Sequence, residues 1–191
     1  TIGLWGGQGL AIDVKGTSTS DLMLPESTVT LHDGRWHHVV AVRNGAEVSN
    51  AMLYVDGVQY GSAELVDTNS GWGNTGSTTW IGARNVGGVD GDIGLFSGTS
   101  DEVSIWLNRA LTATEVQSLY NAARTPNELP VYAAAVMDKS PVAYYRLNEP
   151  AGLTAGETVV NWANQGTTST SVLDDANTGL THASAAGMVP A

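Results

Sequence analysis

The sequence predicts an all-β protein, an antiparallel sandwich of two sheets with one short helix towards its C-terminal side. Glycine is abundant, at 23 of 191 residues, and serine, threonine and asparagine are frequent as well. Apolar runs are short and are separated by Asp-Gly and Asn-Gly pairs. Short runs between frequent turns are typical of a sandwich, because each strand crosses its sheet once before the chain reverses.

Five segments before the helix are predicted to contain strands. Residues 1–15 form one or two strands interrupted at Gly6-Gly7. The remaining segments are residues 36–43, the hairpin at 52–60, residues 79–84 and residues 103–107. Each is rich in β-branched or aromatic side chains and is bounded by turn residues.

The pair Asp56-Gly57 predicts a tight hairpin turn. Apolar and aromatic residues flank it on both sides, at 52–55 and 58–60. A two-residue type I′ turn requires positive φ at both central positions, which Asp and Gly tolerate better than most residues. We therefore expect two antiparallel strands joined directly at this point.

The single helix is predicted near residues 113–124. Thr112 and Glu115 have the spacing of a capping box, in which each side chain bonds the backbone N–H of the other residue. Apolar residues then recur on one helical face at Val116, Leu119, Tyr120 and Ala123. Pro126 prevents the helix from continuing much further. One amphipathic helix of this length should lie against the sandwich.

The composition excludes several classes of partner. A formal net charge of −11 argues against nucleic acid and anionic membrane surfaces, because both require a basic face. The absence of cysteine excludes disulfides, a thiolate nucleophile and Cys-ligated metals. No apolar run approaches the roughly 20 residues of a membrane-spanning helix. The chain begins with Thr1, without a signal peptide, so we expect a mature or excised piece of a longer protein.

Three motifs occur in a fixed order. Asp33–Arg43 has the pattern D-G-x-W-H-H-V, Leu53–Gly57 reads L-Y-V-D-G, and Asp101–Thr112 begins D-E-V-S-I-W, with Ile81–Arg84 before it. Together they resemble the signature of the laminin-G-like, concanavalin A-like jelly-roll family. The resemblance implies a jelly-roll sandwich over residues 1–125 that lacks the family's opening strands.

The C-terminal part resembles the start of the same family. Ser140–Glu149 reads S-P-V-A-Y-Y-R-L-N-E, which is similar to the family's first strand. After a linker at residues 126–130, residues 131–191 are therefore interpreted as the opening of a second copy in a tandem array, or as a strand that completes the sandwich. The resemblance places this strand beside residues 103–107. It could fold back within the chain, be donated by a neighbouring chain, or remain loosely ordered.

The sequence argues against catalysis. His37 and His38 are adjacent, and neighbours on a strand point to opposite faces, so the pair cannot chelate one ion. We expect one imidazole in a buried hydrogen bond and the other near the surface. The E-x-D-x-x-E pattern of the glycosidases that share this fold does not occur, nor do G-x-S-x-G or H-E-x-x-H motifs.

Two sets of residues are candidates for ligand binding. Trp72, with Asn74 in the same Gly/Asn/Ser-rich loop, and Trp5 beside Gly6-Gly7 could present indole faces for stacking on a sugar. A calcium site is the second candidate, since related domains carry calcium near the sandwich rim and Ca²⁺ prefers carboxylate oxygens. Its expected ligands are Asp90, Asp92 and Asp101. The alternative is that Asp90-Gly91 is a turn and that Asp101 caps a strand end.

These observations lead to one functional hypothesis and one alternative. The chain is expected to be a non-catalytic extracellular recognition or adhesion module of a larger bacterial surface or secreted protein, binding glycan or protein through rim loops. No cofactor is predicted apart from the calcium candidate. The alternative is a stalk or fibre subunit whose copies exchange strands. The exchanged segment would carry Val142, Tyr144, Tyr145 and Leu147.

Overall fold

A computed structural model describes the chain in twelve segments. They are residues 2–5, 9–15, 19–24, 29–44, 51–62, 83–85, 93–95, 98–124, 129–147, 158–159, 161–164 and 171–172. The chain divides into two compact units. Among the described elements, the first unit contains strands β1 to β6 and helix α1, and the second contains strands β7 to β12 and helix α2.

The first unit contains two antiparallel sheets of three strands each, with the strands in chain order. The first sheet consists of β1 (Ile2–Trp5), β2 (Gly9–Lys15) and β3 (Thr19–Leu24). The second consists of β4 (Val39–Arg43), β5 (Ala51–Val55) and β6 (Val58–Ser62). β3 was not predicted. β4 begins at Val39, so the strand predicted from residue 36 is shorter than expected.

The hairpin between β5 and β6 has the predicted turn. Asp56 and Gly57 have φ values of 51° and 77°, so both central residues are left-handed as a type I′ turn requires. Val55 pairs with Val58 immediately beside the turn. The predicted antiparallel hairpin is confirmed.

One face of this second sheet forms an apolar core. Leu53 and Val55 lie at its centre and are 0% and 3% exposed. Partly buried apolar side chains pack against this pair: Val29, Leu31, Val39, Ala41 and Tyr60. Side chains two apart on a strand share a face, so Leu53 and Val55 are together on this side while Tyr54 is on the other. Tyr54 is also buried, so both faces of the sheet are covered there.

Helix α1 (Ala113–Ala123) begins at the predicted capping box. The Thr112 hydroxyl accepts from the Glu115 backbone N–H at 3.2 Å, and the Glu115 carboxylate accepts from the Thr112 N–H at 2.8 Å. An ion pair with Arg109 adds to these bonds. The Thr112 N–H and Arg109 together lower the pKa of Glu115 to about 2. The buried face carries Val116, Leu119 and Ala123, as predicted.

Helix α1 rests on the β5–β6 turn. A Cβ built on Gly57 would lie 2.7 Å from the Gln117 amide nitrogen and 2.8 Å from the Tyr120 ring. Only a residue without a side chain fits between the hairpin and the helix at this distance. Gly57 therefore serves both the turn geometry and the packing of the helix.

The second unit contains three two-stranded antiparallel sheets among the described residues. β7 (Ala83–Asn85) pairs with β8 (Ile93–Leu95), and β11 (Thr158–Val159) pairs with β12 (Ser171–Val172). β9 (Val103–Ile105) pairs with β10 (Ala143–Tyr145), which belongs to the segment that resembles a family opening strand. The chain thus supplies a neighbour for β9 from its own C-terminal part.

A second helix, α2 (Leu129–Asp138), corrects the prediction of a single helix. Leu129 and Pro130, placed in a linker on the sequence, are its first two residues. The segment is apolar from Leu129 to Met137 and so lacks the alternation that reveals an amphipathic helix. Proline is tolerated in a first helical turn, and the three alanines that follow favour a helix. Tyr132 and Val136 are buried.

The role of Gly57 can be measured against Gly34, which has a similar φ of 80° but open space around the position of a Cβ. Gly34→Ala should cost about 1–2 kcal/mol from backbone strain alone. Gly57→Ala should cost a further 1–3 kcal/mol or so, because its methyl group would displace Tyr120. Urea denaturation of both variants measures the difference. Equal losses would contradict the packing of α1 on the turn.

Candidate functional site

One imidazole in the first unit lies between two carboxylates. His37 precedes β4, Asp33 lies in the bend before it, and Asp56 is the first residue of the β5–β6 turn. The His37 Nδ1 is 2.8 Å from Asp56 Oδ2, and its Nε2 is 3.1 Å from Asp33 Oδ1. Two of the three Asp-Gly pairs of the sequence, 23 positions apart, thus meet at one histidine.

Asp56 is fixed by more than this bond. Its Oδ1 accepts from the His38 backbone N–H at 2.9 Å, and its own N–H donates to the His38 carbonyl at 2.9 Å. Asp33 is held locally, because its Oδ1 also accepts from the Arg35 N–H at 2.9 Å. The hairpin turn therefore aligns the start of β4 through one aspartate.

The cluster of Asp33, His37 and Asp56 has a clear electrostatic character. Partial burial disfavours the charged imidazole, but the hydrogen bonds to Asp56 and Asp33 outweigh burial and raise the pKa of His37. The bond from His37, followed by that from the Arg35 N–H, lowers the pKa of Asp33. The protonated imidazole is therefore stabilised by negative charge on both sides.

His38 lies in the opposite environment. It is 8% exposed, and its ring is 6.1 Å from the Tyr120 ring of α1. Burial lowers its pKa to about 4, although the charge of Asp56 acts in the other direction. As expected, the two adjacent imidazoles separate, but it is the more exposed His37 that bonds the carboxylates.

The geometry of this cluster is that of a structural element. Both nitrogens of His37 are committed to carboxylates, so neither faces outward to abstract a proton or bind a metal ion. Within the segments that the structure describes, no group of three or more His, Asp or Glu side chains could hold a metal ion. The chemistry available here is hydrogen bonding and charge.

The second unit contains a buried carboxylate. Glu102 is 6% exposed and precedes β9, with a left-handed φ of 54°. It accepts a hydrogen bond from the Tyr144 hydroxyl and another, at 3.2 Å, from Arg146 Nε. The charge is thus compensated by an arginine and a phenol contributed by β10 and the residue after it.

Asn161 and Trp162 extend this network. The Asn161 side-chain oxygen accepts from the backbone N–H groups of Tyr144, at 2.9 Å, and Ala163, at 3.1 Å. The Arg146 guanidinium lies 5.1 Å from the centre of the Trp162 ring, within cation–π range. β10 is therefore bonded on one side to β9 and on the other to Asn161.

Two tyrosines beside Glu102 are unable to ionise at ordinary pH. Burial, followed by the charges of Glu102 and Asp101, raises the pKa of Tyr132. Burial and the hydrogen bond to Glu102 raise the pKa of Tyr144 as well. Both phenols remain neutral donors, which suits Tyr144 to its bond with the carboxylate.

Several predicted ligand residues lie outside the described part of the chain: Trp72, Asn74, Asp90 and Asp92. Trp5 is the last residue of β1 and pairs with Gly9. The Asp101 carboxylate accepts from the Glu102 N–H at 2.9 Å just before β9, the local bond expected of a residue at a strand end. The sugar-stacking and calcium assignments stay predictions.

The residues predicted to take part in strand exchange are described. Tyr144 and Tyr145 are 0% and 8% exposed, and the N–H of Val142 donates to the Ile105 carbonyl at 2.8 Å. Val142 itself is 40% exposed, and Leu147 follows the strand with a φ of 53°. Tyr144 and Tyr145 pair with β9 of the same chain, and Val142 is bonded to its last residue.

Sequence reasoning did not find the polar clusters themselves. Glu102 and Tyr144 are 42 positions apart, and the local pattern around each predicts only a strand. The available signal was the resemblance, because it placed the segment containing Tyr144 and Arg146 beside residues 103–107. An ionic link between the D-E and Y-Y-R motifs follows once those strands are neighbours.

A family model described as the concanavalin A-like lectin/glucanases superfamily, of the laminin G type, matches residues 1–117. This range contains the three motifs on which the resemblance rests, and the match confirms the predicted family. No curated protein and no solved structure gives a significant match to the chain. Neither helix of the described segments is long and apolar enough to cross a membrane.

The pKa values of the two adjacent histidines should be shifted in opposite directions from that of a free imidazole. His37, with its raised pKa, contributes stability that is complete below about pH 6.5 and is lost as the pH rises through its folded-state pKa. His38 stays neutral in the folded chain while the unfolded chain binds a proton. Stability should therefore fall by up to about 3 kcal/mol as the pH drops from 6.5 to 4. NMR titration of the two imidazole C–H signals checks both midpoints; a single common midpoint would contradict these environments.

Removing the Tyr144 hydroxyl should destabilise the second unit. Tyr144→Phe leaves the buried Glu102 carboxylate with one fewer donor, and the expected loss is about 1–3 kcal/mol. Tyr60→Phe, at a half-buried tyrosine of the first unit, is the control and should change stability by less than about 0.5 kcal/mol. Thermal or urea unfolding measures both. Equal effects would mean that the Glu102 bond contributes nothing.

Proposed function

Because the chain belongs to the concanavalin A-like lectin/glucanases superfamily, we propose that it is an extracellular, non-catalytic recognition module that binds glycan or protein. The family match over residues 1–117 is the observation that carries the proposal. Domains of this kind are typically binding modules without catalytic activity. The antiparallel sheets of the first unit agree with a sandwich, and we infer that they belong to a jelly roll.

The described carboxylates support a role without catalysis. A glycosidase needs two carboxyl groups facing each other across a sugar, about 5–10 Å apart. Glu102 is buried and bonded to Tyr144 and Arg146. Asp33 and Asp56 are turned towards the same histidine. Each of these groups is used to hold the chain together, which leaves binding as the activity that these surfaces support best.

We place the binding surface at the loops of the sandwich rim. The bend at Asp33 and the hairpin turn at Asp56 lie at the same end of the β4–β5–β6 sheet, since Val39 pairs with Val55 there. Loops held by a rigid sheet are common positions for ligand contacts. Trp72 and Asn74, with Trp5 as a second contact, are the proposed ligand residues; Asp90, Asp92 and Asp101 remain the candidates for calcium.

The pairing of β9 with β10 favours the binding module over a fibre. A fibre built by strand exchange requires β9 to be completed by another copy, as in β-augmentation. Here β9 pairs with β10 of its own chain, and the buried Glu102 ion pair reinforces that pairing. We therefore propose a module that acts as part of a larger bacterial surface or secreted protein.

A glycan array tests the proposed ligand residue. The chain should bind a subset of glycans, and Trp72→Ala should weaken that binding at least about tenfold, because stacking on the indole face is lost. Trp72→Phe retains an aromatic face and should recover part of the affinity. Both variants should unfold at the wild-type midpoint if the indole is exposed. Equal binding by wild type and Trp72→Ala would remove this residue from the site.

A further inference from the structure

The hydrogen bonds of His37 can exist together in only one protonation state. An ionised carboxylate only accepts hydrogen bonds, so a nitrogen facing one must carry a proton. His37 faces Asp56 through Nδ1 and Asp33 through Nε2. A neutral imidazole has a single N–H and can serve only one of them. The arrangement therefore requires the imidazolium form.

The two carboxylates do not hold their positions equally. Asp56 is bonded twice more to the backbone of His38 and belongs to the tight hairpin turn. Asp33 is bonded otherwise to its own bend, through the Arg35 N–H, with the Arg35 side chain 3.7 Å away. When His37 loses a proton, the shorter and better supported bond to Asp56 should persist. The lone pair of Nε2 then faces the Asp33 carboxylate and repels it.

Among the described residues, few atoms lie near the tip of the bend that contains Asp33. A Cβ built on Gly34 would meet no atom within 4 Å, and 67% of the Arg35 side chain is exposed. The bond from His37 to Asp33 joins this bend to the hairpin turn through a single side chain. Its loss should leave the bend connected to the sheet through the residues that flank it, Leu31 in the apolar core and the half-buried Trp36.

We propose that His37 is a pH-operated latch that fastens the 33–35 bend to the β5–β6 turn when protonated and releases the bend when neutral. Among the residues that the structure describes, the charged or titratable side chains facing it are Asp33 and Asp56, with Arg35 beside Asp33 and His38 adjacent in the chain. Burial lowers the pKa of His38 to about 4, so His38 is neutral in mildly acidic to mildly alkaline surroundings and does not compete for the latch there. The device would change the shape of one rim loop between mildly acidic and mildly alkaline surroundings, whatever ligand the module binds.

The latch should be closed over a defined interval of pH. Its lower limit is the protonation of Asp33, whose pKa is below the ordinary value. Its upper limit is the deprotonation of His37, whose pKa is above the ordinary value. Within this interval both bonds of the imidazolium are satisfied. Above it, the imidazole should be the Nδ1–H tautomer, because that proton remains shared with Asp56.

NMR relaxation and imidazole ¹⁵N shifts test the latch on the intact chain. The amide order parameters of Gly34 and Arg35 should fall from about 0.85 to below about 0.6 as the pH passes the His37 midpoint. Those of Leu53 and Gly57 should not change. The ¹⁵N shifts above the midpoint should report a proton on Nδ1. Order parameters in the bend that are the same on both sides of the midpoint would overturn the proposal.

Two substitutions at one position separate the latch from general loosening. Asp33→Asn places an amide opposite Nε2, which can accept from the imidazolium or donate to the neutral ring, so the bend should stay ordered at both pH values. Asp33→Ala removes the contact, so the bend should be mobile at both. A pH-dependent change in Gly34 that persists in either variant would overturn the proposal. Both changes are at an exposed bend, so we expect the fold to be retained. Unaltered NMR signals of the buried Leu53 will show that it is.

Discussion

The fold of the first unit depends on the two left-handed residues of the β5–β6 turn. Positive φ at Asp56 and Gly57 allows the strands to reverse without a loop, which brings the Asp56 carboxylate to the start of β4. Because Gly57 has no side chain, helix α1 packs directly against the turn at this position. One dipeptide thus sets the register of three strands and the position of the helix, and the polar cluster at His37 follows from it.

The second unit is stabilised in a different way. Its described sheets have two strands each, and the strand pair β9–β10 is joined by a buried ion pair as well as by backbone hydrogen bonds. A buried charge is a weak source of net stability, but the loss of one partner is costly because the other remains without compensation. Glu102 and Arg146 therefore make this pairing specific more than they make it strong.

The local features of the fold could be predicted from the sequence, whereas of the distant ones only the pairing of β10 with β9 was expected, through the family resemblance. The Asp56-Gly57 turn and the Thr112–Glu115 capping box involve neighbours in the chain, where residue type and spacing determine geometry. Helix α2 was missed because its uniformly apolar sequence has no periodicity. The partners of His37 and Glu102 are contributed by other segments, and a single sequence has no periodic signal for such contacts. The proposed ligand residues Trp72 and Asn74 rest on composition and loop chemistry alone.

The buried ion pair of Glu102 and Arg146 favours a single register of β10 on β9. When an antiparallel strand slides by two residues, its side chains stay on the same face of the sheet. Each side chain, however, moves about 7 Å along the partner strand. Such a slip would move Arg146 and the Tyr144 hydroxyl away from Glu102. The buried Glu102 carboxylate would then be left without these two donors. A competing segment must therefore offer both a phenol and a guanidinium at the correct separation to be accepted. In a protein that carries several similar modules, this requirement would discourage mispairing between strands of unlike sequence.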